Sequence, residues 1–215
     1  RPLLITSTSE VYGKSQDVPF DEEGDRLEGP TTKHRWAYAC AKALDEFTAL
    51  SYWRTESLPV VIVRLFNTVG SRQTGQYGMV IPNFVERALA GLPLQVFGQG
   101  HQTRCFCHVL DVTRALTQLI SCPEAYGEVI NVGSTAEISI RQLATEVIQQ
   151  LHSCSMIETL PYEEVFGDGF EDMQRRVPKI DKVRRLIGWH PQKDLTTIIS
   201  DVAKQYTVGP NPSLL

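Results

Sequence analysis

The sequence lacks the features that mark several large classes of protein. It contains no cluster of basic residues and its net charge is −4, which argues against a nucleic-acid partner. No apolar run is long enough to span a bilayer, and Arg1-Pro2 followed by a strand-like run does not have the pattern of a signal peptide. We therefore expect neither nucleic acid nor a membrane among its partners.

Cysteine is present, but not in a spacing typical of a metal site. The 5 cysteines are an odd number and form no CxxC pair. Cys105 and Cys107 are two residues apart in a strand-like run, so their side chains share one face. Buried free thiols in a reducing cytoplasm explain this pattern better than metal ligation does, and the 5 histidines show no ligand spacing. The sequence thus predicts a cytoplasmic protein without a metal site.

A glycine-rich phosphate-binding loop is also missing. Neither GxGxxG nor GxxGxxG occurs, and Gly98-Gln-Gly100 has no third glycine and opens no helix. The 215 residues are nevertheless 42% hydrophobic and 21% charged, a globular composition that can bury a substantial core. We expect the glycine-rich motif to lie upstream of Arg1 and the chain to be part of a longer fold.

What the sequence does contain is an alternation of apolar strands and helices. Strands are predicted at 2–6, 60–66, 94–97 and 128–132, and helices at 36–56, 80–90, 110–121, 139–151, 180–187 and 195–206. The run at 2–6 suits a strand buried on both faces, and the first helix has Cys40, Leu44, Phe47 and Ser51 along the stripe expected to pack. Alternation of this kind predicts an α/β fold with a parallel sheet.

Two polar residues on the first predicted helix form a candidate catalytic pair. Tyr38 and Lys42 are four residues apart, which places them on one helix face with Cβ atoms roughly 6 Å apart. A phenol, with a reference pKa of about 10, is a poor base near neutral pH, but a nearby ammonium lowers such a pKa by about 1–3 units. The pair could take a proton from a sugar hydroxyl, although the spacing alone also fits a structural helix.

A second element favours the catalytic interpretation. The segment STSEVYG, residues 7–13, directly follows the first apolar strand, where a parallel sheet presents its binding edge. A hydroxyl here could share the hydrogen bond to the reacting oxygen, with a carboxylate two residues on as acid or base. A strand-end hydroxyl, about thirty further residues and then Tyr-x-x-x-Lys is the layout of the short-chain dehydrogenase/reductase superfamily.

More specifically, the chain resembles the extended branch of that superfamily, the NAD-dependent nucleotide-sugar epimerases, dehydratases and decarboxylases. The resemblance runs from Pro2 to about Tyr206 and rests on STSEVYG, YACAK, RLFNTVGSR, GMVIPNFVERALAG, LQVFGQGHQTR and IGWHP. It implies the C-terminal part of a Rossmann-like parallel sheet with a smaller α/β substrate-binding domain. The implied NAD-binding part is 1–72 and 109–134, the nucleotide-sugar part 73–108 and 135–208, and the tail 209–215.

The resemblance also implies roles for individual residues. Thr8 matches the active-site hydroxyl, Tyr38 the base, and Lys42 its ribose-binding partner, while Glu10 stands at the acid/base position. The implied contacts with NAD are Tyr38, Lys42, Thr68 and Arg72. The implied substrate contacts are Asn67, Asn131, the diphosphate-binding Arg104 and Arg176, and Val80, Gln95 and Phe97 around the nucleotide base and ribose.

Two arginines suit a diphosphate, because each guanidinium offers bidentate donors to negative oxygens. Arg175 stands beside Arg176, so the sequence leaves open which of them reaches the phosphates. The substrate expected from the resemblance is a UDP-sugar. A homodimer, formed through the helix that carries Tyr38, is the expected assembly.

The reactions of this branch all begin with oxidation of sugar C4 by NAD and differ in what the 4-keto intermediate does next. The 4,6-dehydratases place Asp-Glu after the threonine, whereas this chain has Ser9-Glu10, so dehydration ranks third. Ser-Glu-Val-Tyr-Gly most resembles the UDP-glucuronate decarboxylases, and a UDP-hexose 4-epimerase of the UDP-glucose/UDP-galactose type is the close alternative. UDP-glucuronate decarboxylase is therefore the expected function.

Two hypotheses from other classes stay open. One is a nucleotide-sugar-binding fragment without an NAD site, which would have no need of Thr8, Tyr38 and Lys42 together. The other is a reductase or lactone-forming enzyme for small carbonyls, which would have no need of Arg104 and Arg176, since a neutral substrate requires no diphosphate clamp. We expect an enzyme, although residues 1–215 need not be active on their own.

Overall fold

The computed structural model describes residues 1–75, 79–161 and 173–207. Its strands are β1 (Leu3–Thr8), β2 (Val60–Leu65), β3 (Thr68–Val69), β4 (Leu94–Phe97), β5 (Thr103–Cys105), β6 (Cys107–His108), β7 (Glu128–Val132), β8 (Glu137–Ser139) and β9 (Ile157–Leu160). Its helices are α1 (Arg35–Glu56), α2 (Val80–Leu89), α3 (Val109–Leu119), α4 (Ile140–Gln150), α5 (Asp181–Ile187) and α6 (Leu195–Thr207). In the parts of the chain so described, no helix is long and apolar enough to cross a bilayer.

The predicted strands and helices are present, with ends that differ by at most two residues. The sequence did not predict β3, β8 and β9, and it gave β5 and β6 as one strand-like run. These strands have two to four residues each, too few for a periodicity to be recognised. The predicted tail, 209–215, lies outside the described residues.

The chain divides into two compact units. Among the described residues, unit 1 comprises 1–68, 104–137 and 173–192, and unit 2 comprises 69–75, 79–103, 138–161 and 193–207. The predicted division differs most at 173–192, which it gave to the second part. Contacts inside unit 1 explain the difference: Phe20 N donates to Val177 O at 2.8 Å, and Trp189 Nε1 donates to Asp111 O at 2.9 Å.

Unit 1 is built on a parallel sheet with the strand order β1–β2–β7. The central strand, β2, is buried on both faces. Val60 and Ile62 pack with Ala49 of α1, whereas Val61 and Val63 belong to a cluster that includes residues of α3 and α5. Burial on two faces explains why β2 is a continuous apolar run. The predicted parallel α/β architecture is confirmed.

The first strand is less buried than its sequence predicts. Leu3 is 44% exposed and Thr6 is exposed, although the apolar run suited burial on both faces. Among the described residues β1 pairs with β2 alone, so it lies at the edge of this sheet and has a neighbouring strand on one side only. The prediction of two-sided burial is therefore wrong for β1.

The first helix packs through a face that the sequence did not predict. The predicted stripe is exposed: Leu44 and Phe47 are 65% and 64% exposed, and Cys40 and Ser51 are exposed as well. The buried residues of α1 are Trp36, Ala39, Ala43, Glu46 and Ala49. Three of these are alanines, whose small side chains allow the helix to lie close to β1 and β2.

Unit 2 has a core of its own. β4 and β9 form a parallel pair, and α2, α4 and α6 pack with one another beside β4. Its α4 begins with a capping box, in which the Ser139 hydroxyl accepts from Gln142 N at 3.1 Å and the Gln142 side chain accepts from Ser139 N at 3.2 Å. Buried members of this core are Ile81, Phe84, Leu94, Leu143 and Ile198.

Candidate active site

The carboxyl ends of β1, β2 and β7 lie at one edge of the unit 1 sheet. In the strand register, Ser7, Arg64 and Asn131 form one row across the three strands. Thr8 ends β1 directly after Ser7, and Asn67 follows the end of β2. Ligands of open parallel sheets bind beyond this edge. Two predicted site residues, Thr8 and Asn67, thus lie where the sequence placed them.

Thr8 caps the turn that follows β1. Its backbone is extended, with φ −144° and ψ 150°, and its hydroxyl oxygen accepts a hydrogen bond from Glu10 N at 3.2 Å. The turn itself, Ser9–Tyr12, buries Ser9 and Tyr12. The chain therefore holds the Thr8 hydroxyl at the end of the strand, bonded to the backbone of Glu10.

Glu10 lies between two arginines. Its Oε2 accepts from Arg35 Nη2 at 3.2 Å, and its Oε1 lies 2.6 Å from Arg176 Nη2. All three side chains are at most 20% exposed, so water screens these ion pairs only weakly. Arg175 instead pairs with Glu137 at 2.8 Å and is 55% exposed. Of the two neighbouring arginines, Arg176 is the one that reaches the end of β1.

Tyr38 and Lys42 lie on the turns of α1 that follow Arg35. Tyr38 is 55% exposed, and Lys42 Nζ donates to Asp45 Oδ2 at 3.0 Å within the helix. The helix packs against β1 and against the turn that follows it. An accessible phenol and an ammonium on one helix face are suitable donors for the hydroxyls of a ribose, so these residues fit the predicted NAD contact.

Asn67 and Arg104 are brought together around Cys105. The Asn67 amide nitrogen donates to Cys105 O at 2.8 Å, and Cys107 N donates to Asn67 O at 3.2 Å. Arg104, the residue before Cys105, is buried and donates from Nη1 to Met173 O at 2.8 Å. These bonds fix both residues to the backbone of unit 1; their contact with a substrate stays a prediction.

Asn131 is buried inside unit 1 and makes several hydrogen bonds there. It is fully buried, its Oδ1 accepts from the Tyr12 hydroxyl at 2.8 Å, and its Nδ2 donates to Phe20 O at 2.9 Å. Its backbone nitrogen donates to Glu22 Oε1 at 2.9 Å. These bonds use its amide inside the protein, where Asn131 holds the segment 20–22 against β7. Its contact with a substrate stays a prediction.

The remaining candidates lie in unit 2, apart from Thr68 at the end of unit 1. Gln95 and Phe97 share the less buried face of β4, and Gln95 Nε2 reaches Glu158 Oε2 at 3.4 Å. Val80 begins α2, and Arg72, exposed with φ 70°, donates its backbone N–H to the Gln205 side chain. Their roles toward NAD and the nucleotide stay predictions.

A buried ion pair next to the strand ends was missed by the sequence analysis. Arg64 Nη2 and Nε donate to Glu46 Oε2 and Oε1 at 2.7 and 3.1 Å, and the Ser7 hydroxyl also donates to Glu46 Oε1. Both charged side chains are only 7% exposed. Burial by itself lowers the pKa of Arg64, but the hydrogen bond and attraction of Glu46 outweigh it and raise that pKa.

The sequence did contain a signal for this pair. Arg64 is the single charged residue in an otherwise apolar strand, and Glu46 lies eight residues after Tyr38 on the same helix face. Arg35 was missed as well, although it stands one helical turn before Tyr38. A buried charge in a parallel strand requires a partner of opposite charge. The charge of Arg64 therefore predicts a buried acidic partner, which is Glu46.

Tyr12, the tyrosine of STSEVYG, is excluded as the base. Burial raises its pKa to about 12, and its ring stacks on Phe20 with centroids 4.5 Å apart. Burial likewise raises the pKa values of Cys105 and Cys107 to about 12, so neither thiol is a nucleophile near neutral pH. Within 1–75, 79–161 and 173–207, no group of His, Cys, Asp and Glu is arranged to hold a metal ion.

Comparison with known proteins identifies the family. Residues 2–202 match the family described as GDP-mannose 4,6-dehydratase. The chain belongs to this family. It is 43% identical over 192 residues to the UDP-N-acetyl-α-D-glucosaminuronate decarboxylase of Bacillus cytotoxicus, a match that covers 89% of this chain and 59% of that relative. The predicted membership of the nucleotide-sugar branch is confirmed.

Solved structures agree with this assignment. An epimerase from Methanothermobacter thermautotrophicus superimposes with a TM-score of 0.84 at 27% identity, over 96% of this chain and 59% of the epimerase. The dTDP-glucose 4,6-dehydratase of Bacillus anthracis, solved with NAD, gives 0.81 at 25% identity, over 96% of this chain and 61% of the dehydratase. The chain spans about three fifths of the length of these relatives.

Proposed function

We propose that the whole protein modifies a nucleotide sugar with NAD, through oxidation at sugar C4, and that its reaction is the decarboxylation of a UDP-hexuronate. Family membership supports the first part. The 43% identity to a UDP-sugar decarboxylase supports the second. The relative acts on the 2-acetamido form, so the proposal covers UDP-glucuronate and UDP-N-acetylglucosaminuronate.

The observation that carries the decarboxylase proposal is the pair of guanidiniums at the end of β1. Arg35 and Arg176 both reach Glu10, beside Thr8. A hexuronate differs from a hexose by a carboxylate at C6, and arginine is the side chain best suited to bind and orient that group. Two arginines at this place favour a substrate with a carboxylate over a neutral hexose.

The residues of unit 1 can act together on such a substrate. Tyr38 takes the proton of the C4 hydroxyl while Lys42 stabilises its phenolate, and Thr8 shares a hydrogen bond to the same oxygen. Bound NAD supplies the hydride acceptor for C4. The product is a β-keto acid, in which the carbonyl at C4 lies two bonds from the C6 carboxylate.

Loss of carbon dioxide then needs orientation more than acid or base chemistry. The C5–C6 bond breaks, carbon dioxide leaves, and the electron pair forms an enolate on the C4 oxygen, to which Tyr38 and Thr8 donate hydrogen bonds. A proton from solvent then adds at C5. Return of the hydride from NAD to C4, together with the proton held by Tyr38, would complete the UDP-pentose. The arginines contribute by orienting the carboxylate so that the C5–C6 bond is perpendicular to the plane of the C4 carbonyl before that bond breaks.

The alternatives are less well supported. A 4,6-dehydratase of the predicted type requires an acid at position 9, where this chain has Ser9, whose side chain is buried in the turn after β1. A 4-epimerase needs only rotation of the keto sugar, and the similarity to an epimerase of known structure keeps it as the second candidate. Two arginines that share the single carboxylate of Glu10 leave an excess of positive charge at the end of β1, which favours an anionic substrate over a neutral hexose.

We also propose a cytoplasmic homodimer. The exposed Leu44 and Phe47 give α1 an apolar outer face, which a second copy of the helix could cover. The free state of all 5 cysteines suits a reducing compartment.

A panel of substrates tests the function. The whole protein is incubated with NAD and, separately, UDP-glucuronate, UDP-N-acetylglucosaminuronate and UDP-glucose, and the products are identified by mass spectrometry. The proposal predicts a UDP-pentose from at least one hexuronate and no product from UDP-glucose. Conversion of UDP-glucose to UDP-galactose, with both hexuronates untouched, would replace the decarboxylase by the epimerase.

A further inference from the structure

We propose that the buried network of Glu46, Arg64 and Ser7 positions α1. It fixes where the helix lies along its axis and how it is rotated about that axis, so that Tyr38 and Lys42 face the end of β1. The inference rests on the proposed function and adds residues that act through the catalytic pair rather than on the substrate. Four observations support it.

The first observation is the place of Glu46 on α1. Tyr38, Lys42 and Glu46 are spaced by four residues, and successive members of such a row are rotated by only about 40° around the helix. Tyr38 is exposed, Lys42 is less exposed along its side chain and Glu46 is buried, so the row runs from solvent toward the sheet. Any rotation of α1 that moves Tyr38 must also move Glu46.

The second observation is that one carboxylate joins the helix to two strands. Glu46 accepts from Ser7 on β1 and from Arg64 on β2, two residues that are paired in the strand register. Ser7 directly precedes Thr8. The network therefore fixes α1 relative to the residue next to the candidate catalytic hydroxyl.

The third observation is that Arg64 is itself held on several sides. Its Nη1 donates to Glu22 O at 3.1 Å, and its guanidinium lies 4.8 Å from the centre of the Tyr12 ring. The planar guanidinium thus uses Nε, Nη1 and Nη2 in fixed directions. Glu46 meets a rigid partner, which a flexible lysine would not provide.

The fourth observation is a second connection near the start of the helix. Arg35 pairs with Glu10, and Glu46 pairs with Arg64, about 16 Å farther along the axis at 1.5 Å per residue. Tyr38 and Lys42 lie between these two points. A helix that is fixed at two points cannot slide or turn between them, and a misplacement of about 1 Å costs a reaction about 100-fold in rate.

Stability alone does not account for this network. Replacing a buried ion pair by apolar residues of similar volume is often neutral or stabilising, because both charges must be removed from water to form the pair. What a bidentate ion pair adds is a defined geometry, which apolar contacts do not enforce. The two roles can therefore be separated by experiment.

The test uses the whole protein with the paired substitution Glu46→Met and Arg64→Met. We expect a variant that still folds, a kcat about 10–100-fold lower, and a KM for the nucleotide sugar within about twofold. The control removes an exposed ion pair of unit 1, Asp21 with Lys179, by substitution of both with alanine, and leaves kcat unchanged. An unchanged kcat in a stable Met/Met variant would overturn the proposal.

Ser7→Ala supplies a variant that keeps the ion pair. It removes only the hydrogen bond from Ser7 to Glu46, so this variant should fold. It therefore keeps the proposal testable even if the Met/Met variant does not fold. We expect kcat to fall several-fold at constant KM; a wild-type kcat in this variant would equally overturn the proposal.

Hydrogen exchange separates this proposal from the proposed function. In both variants the amides of 36–45 should exchange faster than in the wild type, while those of α3 should not change. If the wild type converts no nucleotide sugar, the proposed function fails and exchange alone decides the positioning role. Unchanged exchange at 36–45 would then refute it.

Discussion

Arg176 Nη2 lies 2.6 Å from Glu10 Oε1, and this contact connects the segment 173–192 to the turn that follows the candidate catalytic Thr8. Arg175, its neighbour, pairs with Glu137 and is largely exposed. The contact singles out Arg176 as the arginine to substitute. It also places a guanidinium at the end of β1, where the proposed substrate carboxylate would bind.

Tyr38→Phe should lower kcat by about 10²–10⁴-fold, because it removes the hydroxyl of the proposed general base while the ring remains. Binding of the nucleotide sugar should hardly change, and since Tyr38 is 55% exposed the stability of the protein should shift by less than about 0.5 kcal/mol. Steady-state kinetics of the whole protein measure the effect. Tyr52→Phe, on the same helix and 54% exposed, is the matched control. Equal kcat values for the two variants would mean that Tyr38 is only a surface residue.

Lys42→Met should weaken both NAD binding and turnover, because it removes the proposed donor to the ribose and a positive charge on the helix face that carries Tyr38. Loss of its pair with Asp45 should cost stability no more than about 0.5 kcal/mol. Lys204→Met is the control, since Lys204 also pairs with an aspartate three residues away, at 2.7 Å. Calorimetric titration with NAD checks the prediction. The same affinity in Lys42→Met as in the control would exclude Lys42 from the NAD site.

Arg176→Ala should weaken binding of the nucleotide sugar by about 2–5 kcal/mol if its contact is buried and charge-paired, and Arg104→Ala should act in the same direction. Arg175→Ala should change the binding free energy by less than about 1 kcal/mol, because its ion pair is exposed. Titration with UDP alone and with UDP-glucuronate separates a diphosphate contact from a carboxylate contact. If the three variants and the wild type bind these ligands with equal affinity, neither Arg176 nor Arg104 is part of the binding site.

Glu22 should make the stability of the protein depend on pH. Burial raises the pKa of its carboxyl, an effect that the hydrogen bond from Asn131 N reduces only in part. Since the folded pKa lies above the unfolded one, its stabilising effect is complete below the unfolded pKa and is lost as the pH rises through the folded pKa. Glu22→Gln, which keeps an acceptor for Asn131 N, should raise the unfolding free energy at neutral pH and flatten its dependence on pH.

Urea denaturation at several pH values between about 4 and 8 measures this effect. Glu23→Gln is the control, because the Glu23 side chain is 85% exposed. If Glu22→Gln is no more stable at neutral pH than Glu23→Gln, burial of the Glu22 carboxyl carries no cost.

Much of the fold could be predicted because its signals are local. The run Val60–Leu65 is apolar since both faces of β2 are covered, and that pattern is visible without a structure. Thr8 could be placed at the strand end by the same reasoning. The helical period placed Tyr38 and Lys42 on one face of α1, and the family resemblance supplied their predicted roles.

The sequence did not reveal features that depend on contacts between residues far apart in the chain. Large apolar residues on α1 suggested a packing face, but the close approach of the helix to the sheet selects alanines, and Leu44 and Phe47 stay outside. The resemblance implied a substrate contact for Asn131, and it could not show that Tyr12 and Phe20 bond to the amide of that residue. No local pattern reveals such pairings, because their partners lie more than a hundred residues away.

The fate of sugar C6 tests the decarboxylase proposal most directly. The whole protein is incubated with NAD and with UDP-glucuronate or its 2-acetamido analogue, labelled with ¹³C at C6 only, in deuterated water. We predict that the label leaves as carbon dioxide and that the UDP-pentose carries deuterium at C5. Retention of the label in a six-carbon sugar from both substrates would contradict decarboxylation.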